Sequence, residues 1–205
     1  MSILVSVCIP THNRCDFLGR SIRSMLNQTF DRSKYEIIVV DDFSKDRTDL
    51  ILKTFEKDIK IIKNKKNEGL SRSLNKAILS AKGKYFLRLD SDDYVNEEYI
   101  NFLYSTIDQN KDTYDAVSCD YFKVNDDEII IKRCNSEKEP IGCGIIFKVD
   151  DLIRIGMYSP KKKIFEEIDL MNRLKQSKKF KIFRLPIPLY RYRMHNSNMT
   201  KKFKK

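Results

Sequence analysis

Two aspartate-rich turns, each directly behind an apolar run, hold the residues of this sequence best suited to chemistry. Asp41–Asp42 follows Ile37–Val40, and Asp90–Asp93 follows Tyr85–Leu89. Short runs of this kind predict buried strands of a parallel sheet, and the ligands of such sheets sit beyond the carboxyl ends of the strands. Carboxylates gathered there repel one another, which costs stability unless a cation or hydrogen-bond donors compensate. The two turns therefore predict a divalent metal that carries a phosphorylated ligand.

The triplet Asp90-Ser91-Asp92 is the more chemical of the two turns. Its two carboxylates, one residue apart, can hold Mg²⁺ or Mn²⁺ while leaving coordination positions for phosphate oxygens. Such a metal acts as a Lewis acid and stabilises the negative charge that builds on a leaving nucleoside diphosphate. In the first turn we expect one of Asp41 and Asp42 to point into the crevice. A carboxylate there could accept the imide N–H of a uracil or thymine, or bind a ribose hydroxyl.

Two further polar segments follow predicted strands. Pro10–Arg14 is poor in glycine, so it is neither a dinucleotide fingerprint nor a phosphate-binding P-loop, and Asn13 within it could equally be a turn residue. Asn67–Gly69 precedes a predicted helix, where Gly69 supplies a permissive backbone and Arg72 a cation near the expected diphosphate. An ordinary loop glycine and a surface arginine are the alternative.

The elements that must position these segments are predicted by apolar periodicity. In the first half the predicted strands are Ile3–Ile9, Glu36–Val40, Ile59–Lys63 and Tyr85–Leu89, and the predicted helices are Asp16–Gln28, Thr48–Phe55 and Leu70–Ala81. Gly83 would stop the third helix. This alternation predicts an α/β fold with a parallel, doubly wound sheet and right-handed crossovers.

The second half of the sequence changes character. Its predicted elements are a helix over Glu97–Asp108, a hairpin of Ala116–Val124 and Glu128–Arg133 around Asn125–Asp127, a strand over Ile141–Lys148, helices over Asp151–Ile155 and Phe165–Gln176, and a strand-like segment, Phe180–Met194, broken by Pro186 and Pro188. Because no linker or repeat divides the chain, we expect one domain over residues 1–205. Residues 1–95 would bind a nucleotide, and residues 96–205, with a mixed sheet, would complete the active site.

Composition limits the class of protein. With 41% hydrophobic and 34% charged residues the 205-residue chain predicts a globular protein, and no apolar run is long enough to cross a bilayer. Its start lacks a signal-peptide profile, so we expect a cytoplasmic protein. The five cysteines are odd in number and show no CxxC spacing, which argues against structural disulfides and a zinc site.

The formal net charge of +11 has two explanations. Most lysines could lie on solvated faces, or the charge could attract nucleotide phosphates, anionic lipid headgroups or a polyanionic acceptor. Lys161–Lys163 and Lys201–Lys205 would suit a peripheral contact with an anionic membrane, although neither comes with an amphipathic helix. We expect no nucleic acid as partner, because the sequence has neither an aromatic-basic RNA motif nor a recognition helix.

Taken together and in this order, these segments resemble the inverting glycosyltransferase family numbered two, which has the GT-A fold, a Rossmann-like and mostly parallel sheet flanked by helices with a mixed-sheet acceptor half. The resemblance covers nearly the whole chain and runs through Val5–Asn13, Val39–Thr48, Asn67–Arg72, Tyr85–Asp93, Phe165–Leu170 and Tyr190–Thr200. It implies transfer of a sugar from a nucleoside-diphosphate donor, with a UDP-sugar as first choice, to a hydroxyl of a glycan or lipid-linked glycan in surface-polysaccharide synthesis. It also implies Mn²⁺ or Mg²⁺ as cofactor and leaves the oligomeric state open.

The family's motifs imply roles for residues of this sequence. In the family the first acidic pair contacts the nucleoside and the second aspartate of the triplet binds the metal. That implies nucleoside contact for Asp42, with Asp41 close by, and metal binding for Asp92, with His195 as a further metal ligand. Asp90 would lie nearer the ribose or sugar. The nucleotide-sugar site expected from the motifs is Pro10, Thr11, Asn13, Arg14, Asp41, Asp42, Asn67, Gly69, Arg72, Asp90, Ser91 and Arg193.

The family's catalytic base opens a helix in the second half, usually in a Glu-Asp pair. Here the matching stretch is Phe165–Leu170, which aligns Glu167 with the base and places a glutamate where the family more often has an aspartate. Glu166 is the fallback and Asp169 a further candidate. Acidic residues in a first helical turn are also favoured by the helix dipole alone.

Two other classes of protein are alternatives. The first is a metal-dependent nucleotidyltransferase on a similar sheet, against which the absent glycine-rich loop argues. The second is a non-catalytic, basic nucleic-acid-binding protein, which the charge alone would permit.

Overall fold

The structure is a computed structural model that describes residues 2–161, 166–176, 180–196 and 198. Its strands are β1 (Val5–Thr11), β2 (Tyr35–Asp41), β3 (Lys60–Lys63), β4 (Tyr85–Arg88), β5 (Tyr94–Val95), β6 (Ala116–Val124), β7 (Ile130–Cys134), β8 (Ile145–Lys148) and β9 (Ile182–Arg193). Its α-helices are α1 (Cys15–Leu26), α2 (Thr48–Thr54), α3 (Leu70–Ser80), α4 (Tyr99–Gln109), α5 (Val149–Arg154) and α6 (Glu166–Gln176), and a 3₁₀ turn spans Arg32–Lys34.

The nine strands of the described residues belong to one sheet. Its order is β3-β2-β1-β4-β8-β6-β9-β5, and β7 pairs with β6 beside this path. Strands β1 to β4 pair in parallel, whereas β8 runs antiparallel to both β4 and β6. The predicted α/β fold, with a parallel first half and a mixed second half, is confirmed.

Helices cover both faces of the first strands. In β2, Ile37 and Val39 join an apolar cluster that includes residues of α1, α2 and α4, whereas Ile38 and Val40 join a second cluster with residues of α3, α5 and α6. Successive side chains of a strand point to opposite faces of the sheet. An unbroken apolar run is therefore what a doubly covered strand requires.

The strands of the first half end level with one another. Thr11 pairs with Asp41, and Asp41 pairs with Lys63. The turn after β4 lies at the same edge, since the N–H of Leu89 donates to the carbonyl of Cys8 at 2.9 Å. Both acidic turns therefore lie at one edge of the sheet.

Gly83 has a different role from the predicted one. Helix α3 ends at Ser80, before Gly83. Gly83 lies so close to β1 that an added Cβ would be 2.6 Å from the nitrogen of Ser6. Its N–H donates to Ser6 Oγ at 2.9 Å. Close approach to β1, and not helix termination, therefore requires a residue without a side chain.

Two strands of the second half depart from the prediction. Strand β8 begins later than predicted, at Ile145, because the preceding Gly144 takes φ +73, a left-handed backbone that a regular strand cannot contain. Strand β9 continues through Pro186 and Pro188 instead of being broken by them, and its register with β6 shifts beside them. Since proline donates no ladder hydrogen bond, the strand accommodates the pair as an irregularity.

Three other expectations concern the hairpin, the cysteines and the lysine clusters. Strands β6 and β7 form the predicted antiparallel hairpin, and all five cysteines are free thiols. No helix among the described residues is both long and apolar enough to span a membrane. Lys161 is exposed, whereas Lys162–Lys163 and Lys201–Lys205 lie outside the described residues.

Candidate active site

A cavity of about 400 Å³ opens at the carboxyl edge of β1, β2 and β4. Its walls are the loops after these strands, the N-terminus of α3, the segment before β8 and the first turn of α6. The residues predicted for the site that line it are Pro10, Thr11, Arg14, Asp42, Asn67, Gly69, Asp90, Ser91, Asp92, Glu166 and Glu167. Both acidic turns and the two glutamates of α6 therefore face one space.

The other predicted residues lie outside the cavity wall: Asn13, Asp41, Arg72, Arg193 and His195. Arg72 is exposed, and its Nη1 is 3.5 Å from the carbonyl of Glu68. Arg193 is buried; its Nε donates to the carbonyl of Asp92 at 3.1 Å and its Nη2 donates to Glu128 at 3.0 Å. Arg193 therefore lies outside the cavity and stabilises the turn that carries Asp92.

Asp42 organises the loop that precedes α3. Its Oδ1 accepts from the N–H of Glu68 at 2.7 Å and from Nδ2 of Asn64 at 2.8 Å, and its Oδ2 accepts from the N–H of Gly69 at 2.7 Å. Asp41 instead accepts from the N–H of Ser44 at 3.0 Å and shapes its own turn. Of the acidic pair, Asp42 is the residue that lines the cavity and holds a second wall in place.

His12, which was not predicted for the site, forms part of the wall beside Asp42. Its Nδ1 is 2.8 Å from the carbonyl oxygen of Asp42. Since a carbonyl can only accept, Nδ1 carries the proton. Nε2 then accepts from Nδ2 of Asn13 at 3.1 Å and from Nδ2 of Asn67 at 3.2 Å. These bonds fix the orientation of the imidazole between the loops after β1 and before α3.

Asp92 has two cationic or potentially cationic neighbours. His195 Nε2 lies 3.0 Å from Asp92 Oδ2, and Arg14 Nε lies 3.5 Å from the same oxygen. Burial alone would raise the pKa of Asp92, but the hydrogen bond with His195 and the charge of Arg14 outweigh it and lower that pKa. Asp92 is therefore an anion near neutral pH, as a metal ligand must be.

The chemistry of Asp92 and His195 fits a divalent cation. A carboxylate oxygen and an imidazole nitrogen that lie 3.0 Å apart could both bind one such cation. An imidazole ligand is accepted more readily by transition metals such as Mn²⁺ than by Mg²⁺.

A second group of potential ligands fits a metal less well. Ligand atoms of Asp90, Asp93 and Cys143 lie within 4.8 Å of one another. Burial, and then the charge of Asp90, raises the pKa of the Cys143 thiol, which keeps it protonated. The oxygens of Asp93 already accept from the hydroxyl of Tyr190 at 2.7 Å and the N–H of Arg193 at 2.8 Å. This group is therefore a hydrogen-bonded support of the turn.

The two glutamates that open α6 have different surroundings. Glu166 Oε1 accepts from Arg88 Nη1 at 3.0 Å, and Glu166 is buried. Glu167 is half-buried in the cavity wall, and among the described residues no cation forms an ion pair with it. Burial, and then the charge of Glu166, raises the pKa of Glu167. A raised pKa is what a carboxylate needs to accept a proton near neutral pH.

Several other lining residues were not predicted for the site: Leu70, Ser73, Arg88, Asp93, Pro140, Ile141, Gly142, Cys143, Tyr192 and Asn198. The sequence could have indicated Arg88, because it is a charged residue inside an otherwise apolar run. Nothing in the sequence beyond its small size could have indicated Gly142. Its importance comes from a contact made only in the fold, since an added Cβ would lie 3.1 Å from Cβ of Glu167.

Comparison with protein families identifies the group to which this chain is related. The family model described as Glycosyl transferase family 2 matches residues 6–182, which is most of the chain. The chain belongs to glycosyl transferase family 2. The resemblance drawn from the motifs is thereby confirmed, and the nucleotidyltransferase and nucleic-acid-binding alternatives are not favoured.

Two curated relatives of this family 2 chain are much longer than the part they share with it. An uncharacterized glycosyltransferase of Haemophilus influenzae is 39% identical in an alignment of 113 positions, and the match covers 52% of this chain and 33% of the relative. A poly(ribitol-phosphate) beta-glucosyltransferase of Bacillus spizizenii is 36% identical in an alignment of 111 positions, and the match covers 52% of this chain and 18% of the relative. The shared part thus spans a third or less of either relative.

Solved structures show that this family 2 chain has the GT-A fold. TarS 1-349 of S. aureus in complex with UDP has a TM-score of 0.78 and 21% identity, over 94% of this chain and 61% of that one. A mannosyltransferase of Pyrobaculum calidifontis in complex with GDP-Man and Mn²⁺ has a TM-score of 0.78 and 16% identity, over 98% of this chain and 60% of that one. At these identities the likeness concerns the fold.

Proposed function

We propose that this chain catalyses an inverting, metal-dependent glycosyl transfer from a nucleoside-diphosphate sugar, with a UDP-sugar as first choice, to a hydroxyl acceptor. The observation that carries the proposal is that Asp42, Asp92 and Glu167, from three separate stretches of the chain, line one cavity. A nucleoside-binding carboxylate, a metal-binding carboxylate and a base are the three functions that such a transfer needs at one site.

The nucleoside would bind between the loop after β1 and the loop before α3. His12 and Asn67 line this end of the cavity. Thr11 is 3% exposed, and its Oγ1 has no hydrogen-bond partner among the described residues. A buried hydroxyl without a partner is costly, and a small rearrangement of this wall on binding would let a base or ribose satisfy it. Residues 1–95 would in this way bind the donor.

The diphosphate would lie toward Asp92. A divalent cation held there by Asp92 and His195 would supply Lewis-acid stabilisation of the charge on the departing diphosphate. Arg14 lines the same part of the cavity and would add positive charge close to Asp92. The complex of the Pyrobaculum calidifontis mannosyltransferase with Mn²⁺ supports the presence of a divalent cation in an enzyme of this fold.

Glu167 would act as the general base. Its carboxylate takes the proton from the acceptor hydroxyl, the acceptor oxygen forms a bond to the anomeric carbon, and the bond from that carbon to the diphosphate breaks with its electron pair on the diphosphate oxygen. Because the acceptor enters opposite the leaving group in one displacement, the configuration inverts and no covalent intermediate with the chain forms. The base would come from residues 96–205.

The acceptor would be a hydroxyl of a glycan or of a lipid-linked glycan polymer. The Bacillus spizizenii relative is named for poly(ribitol-phosphate), a polyanion, and a net charge of +11 would attract such an acceptor. We further propose that the chain acts in the cytoplasm. There, anionic membrane lipids that carry such acceptors would also attract the positively charged chain.

Two variants test the proposal. Asp92→Ala should abolish the Mn²⁺-dependent part of UDP binding in a thermal-shift assay, whereas Glu167→Gln should keep that binding and lose release of UDP from a panel of UDP-sugars by at least about 100-fold. Exposed Asp112→Ala serves as the control and should match the parent in both assays. Unchanged turnover in both site variants would refute the assignment.

A further inference from the structure

A buried arginine connects the two acidic ends of the cavity. Arg88 is 7% exposed and ends β4. Its Nε and Nη2 donate to the two oxygens of Asp90 at 2.7 and 3.1 Å, and its Nη1 donates to Glu166 Oε1 at 3.0 Å. One guanidinium thus holds a carboxylate of the turn after β4 and a carboxylate of α6, 78 positions further along the chain.

Burial keeps this pairing intact. A charge away from water is tolerated when it is paired and hydrogen-bonded, and Glu166 is only 5% exposed. A guanidinium presents five donors in a planar fork, so it can serve two carboxylates at once, which an ammonium does less well. Glu166 is therefore held as the partner of Arg88 and is not available to take a proton from an acceptor.

The same contact orients the neighbouring glutamate. Consecutive residues of an α-helix point about 100° apart, so anchoring Glu166 on Arg88 fixes the direction of Glu167. The loop before β8 closes over both, because a Cβ on Gly142 would lie 3.0 Å from Arg88 Nη1 and 3.1 Å from Cβ of Glu167. Arg88, helix α6 and the loop before β8 therefore contact one another.

We propose that Arg88 is a positioning residue that selects Glu167 rather than Glu166 as the base, by clamping Glu166 against Asp90 and thereby fixing the rotation of α6. This inference rests on the proposed function, in which Glu167 takes the proton. It concerns how the chain distinguishes two adjacent and chemically identical side chains.

The charges of Glu166 and Arg88 shift the pKa of Glu167 in opposite directions, which makes the inference testable. Besides burial, the groups that act on this pKa are Glu166 and the backbone N–H of Glu167 on α6, Arg88 at the end of β4, and Asp90 in the turn after β4. Burial first, and then the charge of Glu166, raises the pKa of Glu167, whereas the charge of Arg88 lowers it. Arg88→Gln should therefore move the titration of Glu167 to higher pH, and Glu166→Gln should move it to lower pH.

The titration can be measured directly in the free protein. The carboxyl carbon signal of Glu167, assigned by its loss in Glu167→Gln, is followed by NMR against pH in glutamate-labelled Arg88→Gln, Arg88→Lys and Glu166→Gln. Arg184→Gln is the matched control, because Arg184 also binds both oxygens of one aspartate, Asp120, at 2.9 and 2.6 Å, on β6 and β9. The control should titrate as the parent does.

Turnover of UDP-glucose with Mn²⁺, read as UDP release, is the second measurement. Arg88→Gln should lower kcat by about 100-fold, the effect of a base misplaced by roughly an ångström, with a smaller change in KM. Arg88→Lys should restore part of kcat, because it keeps the charge and loses the fork. A parental kcat in Arg88→Gln would overturn the inference.

These measurements distinguish a failure of the proposed role of Arg88 from a failure of the proposed function with Glu167 as base. Shifts of the Glu167 titration in the same direction, or none, would overturn the role of Arg88 while leaving Glu167 as base if Glu167→Gln is inactive. Parental turnover in Glu167→Gln would instead overturn the proposed function. If Arg88→Gln does not fold, the direction of the shift in Glu166→Gln and the partial kcat of Arg88→Lys decide the question.

Discussion

His195 Nε2 lies 3.0 Å from Asp92 Oδ2, although the two residues are 103 positions apart in the chain. The turn that carries Asp92 leads into β5, and β5 pairs antiparallel with β9, after which His195 follows. Asp93 adds two bonds to β9, from the hydroxyl of Tyr190 and the N–H of Arg193. The candidate metal site is therefore held by strand pairing and not by loops alone.

This arrangement predicts that His195 sets the preference for the metal. His195→Asn should weaken Mn²⁺ binding by at least about 10-fold, the smallest loss typical of removing even an outer partner of a ligand, and reduce the difference between Mn²⁺ and Mg²⁺, because the nitrogen ligand that favours the transition metal is lost. Calorimetric titration of both ions into parent and variant measures this. An unchanged ratio of the two affinities would exclude His195 as a ligand.

A second prediction concerns stability and pH. Burial, and then the charge of Glu166, raises the pKa of Glu167, so the folded state binds more protons than the unfolded state between the two pKa values. Stability then falls as pH rises through that window. Glu167→Gln carries no charge and should melt about 1 °C or more above the parent at neutral pH, with no difference below the ordinary pKa of glutamate.

Thermal melts across pH check this prediction, and exposed Glu137→Gln is the control, which should follow the parent at every pH. A Glu167→Gln variant less stable than the parent at neutral pH would mean that the carboxylate stabilises the fold. The assignment of Glu167 as a base whose charged form destabilises the folded state would then be wrong.

A third prediction concerns Asp42. Asp42→Ala removes the acceptor of the N–H groups of Glu68 and Gly69. Hydrogen bonds to a charged group contribute about 1.5 to 3 kcal/mol, so melting should fall by roughly 3 to 10 °C. The Kd for UDP should rise at least about tenfold, because a wall of the nucleoside site is released. Exposed Asp112→Ala should show neither effect.

A fourth prediction concerns the loop before β8. Gly142→Ala places a Cβ 3.0 Å from Arg88 Nη1 and 3.1 Å from Cβ of Glu167, so one of them must move. Turnover should fall about tenfold or more through misplacement of the base, with UDP binding unchanged. Gly19→Ala in α1 is the control, since its Cβ would meet the flexible end of Arg23 at 3.3 Å. An alanine there favours the helix.

Local patterns predicted most of the first half of the fold. The β-branched run of β2 and the periodic apolar residues of α1 and α3 need no distant information to be recognised. The two-residue strand β5 was missed because it is too short for any period. The role of Gly83 was misjudged because its reason, the nearness of Ser6, exists only after β1 and β4 pair.

The candidate site divides in the same way. Asp42 and Asp92 are strand-end carboxylates, a local feature, and both line the cavity. The motif alignment ranked Glu167 above Glu166, but it gave no physical reason, because the difference lies in the partner that each finds across the fold. His12 was passed over for a similar reason, since its fixed tautomer depends on bonds to two other loops.

Strand β9 has a consequence for how fragments of this protein should be designed. The family match ends at residue 182, which is where β9 begins. A fragment truncated at that position would leave the long edge of β6 bare and β5 without its neighbour. An open edge of that kind invites aggregation. The limit of the shared sequence is thus no safe place to cut, and expression trials should keep the chain through residue 198.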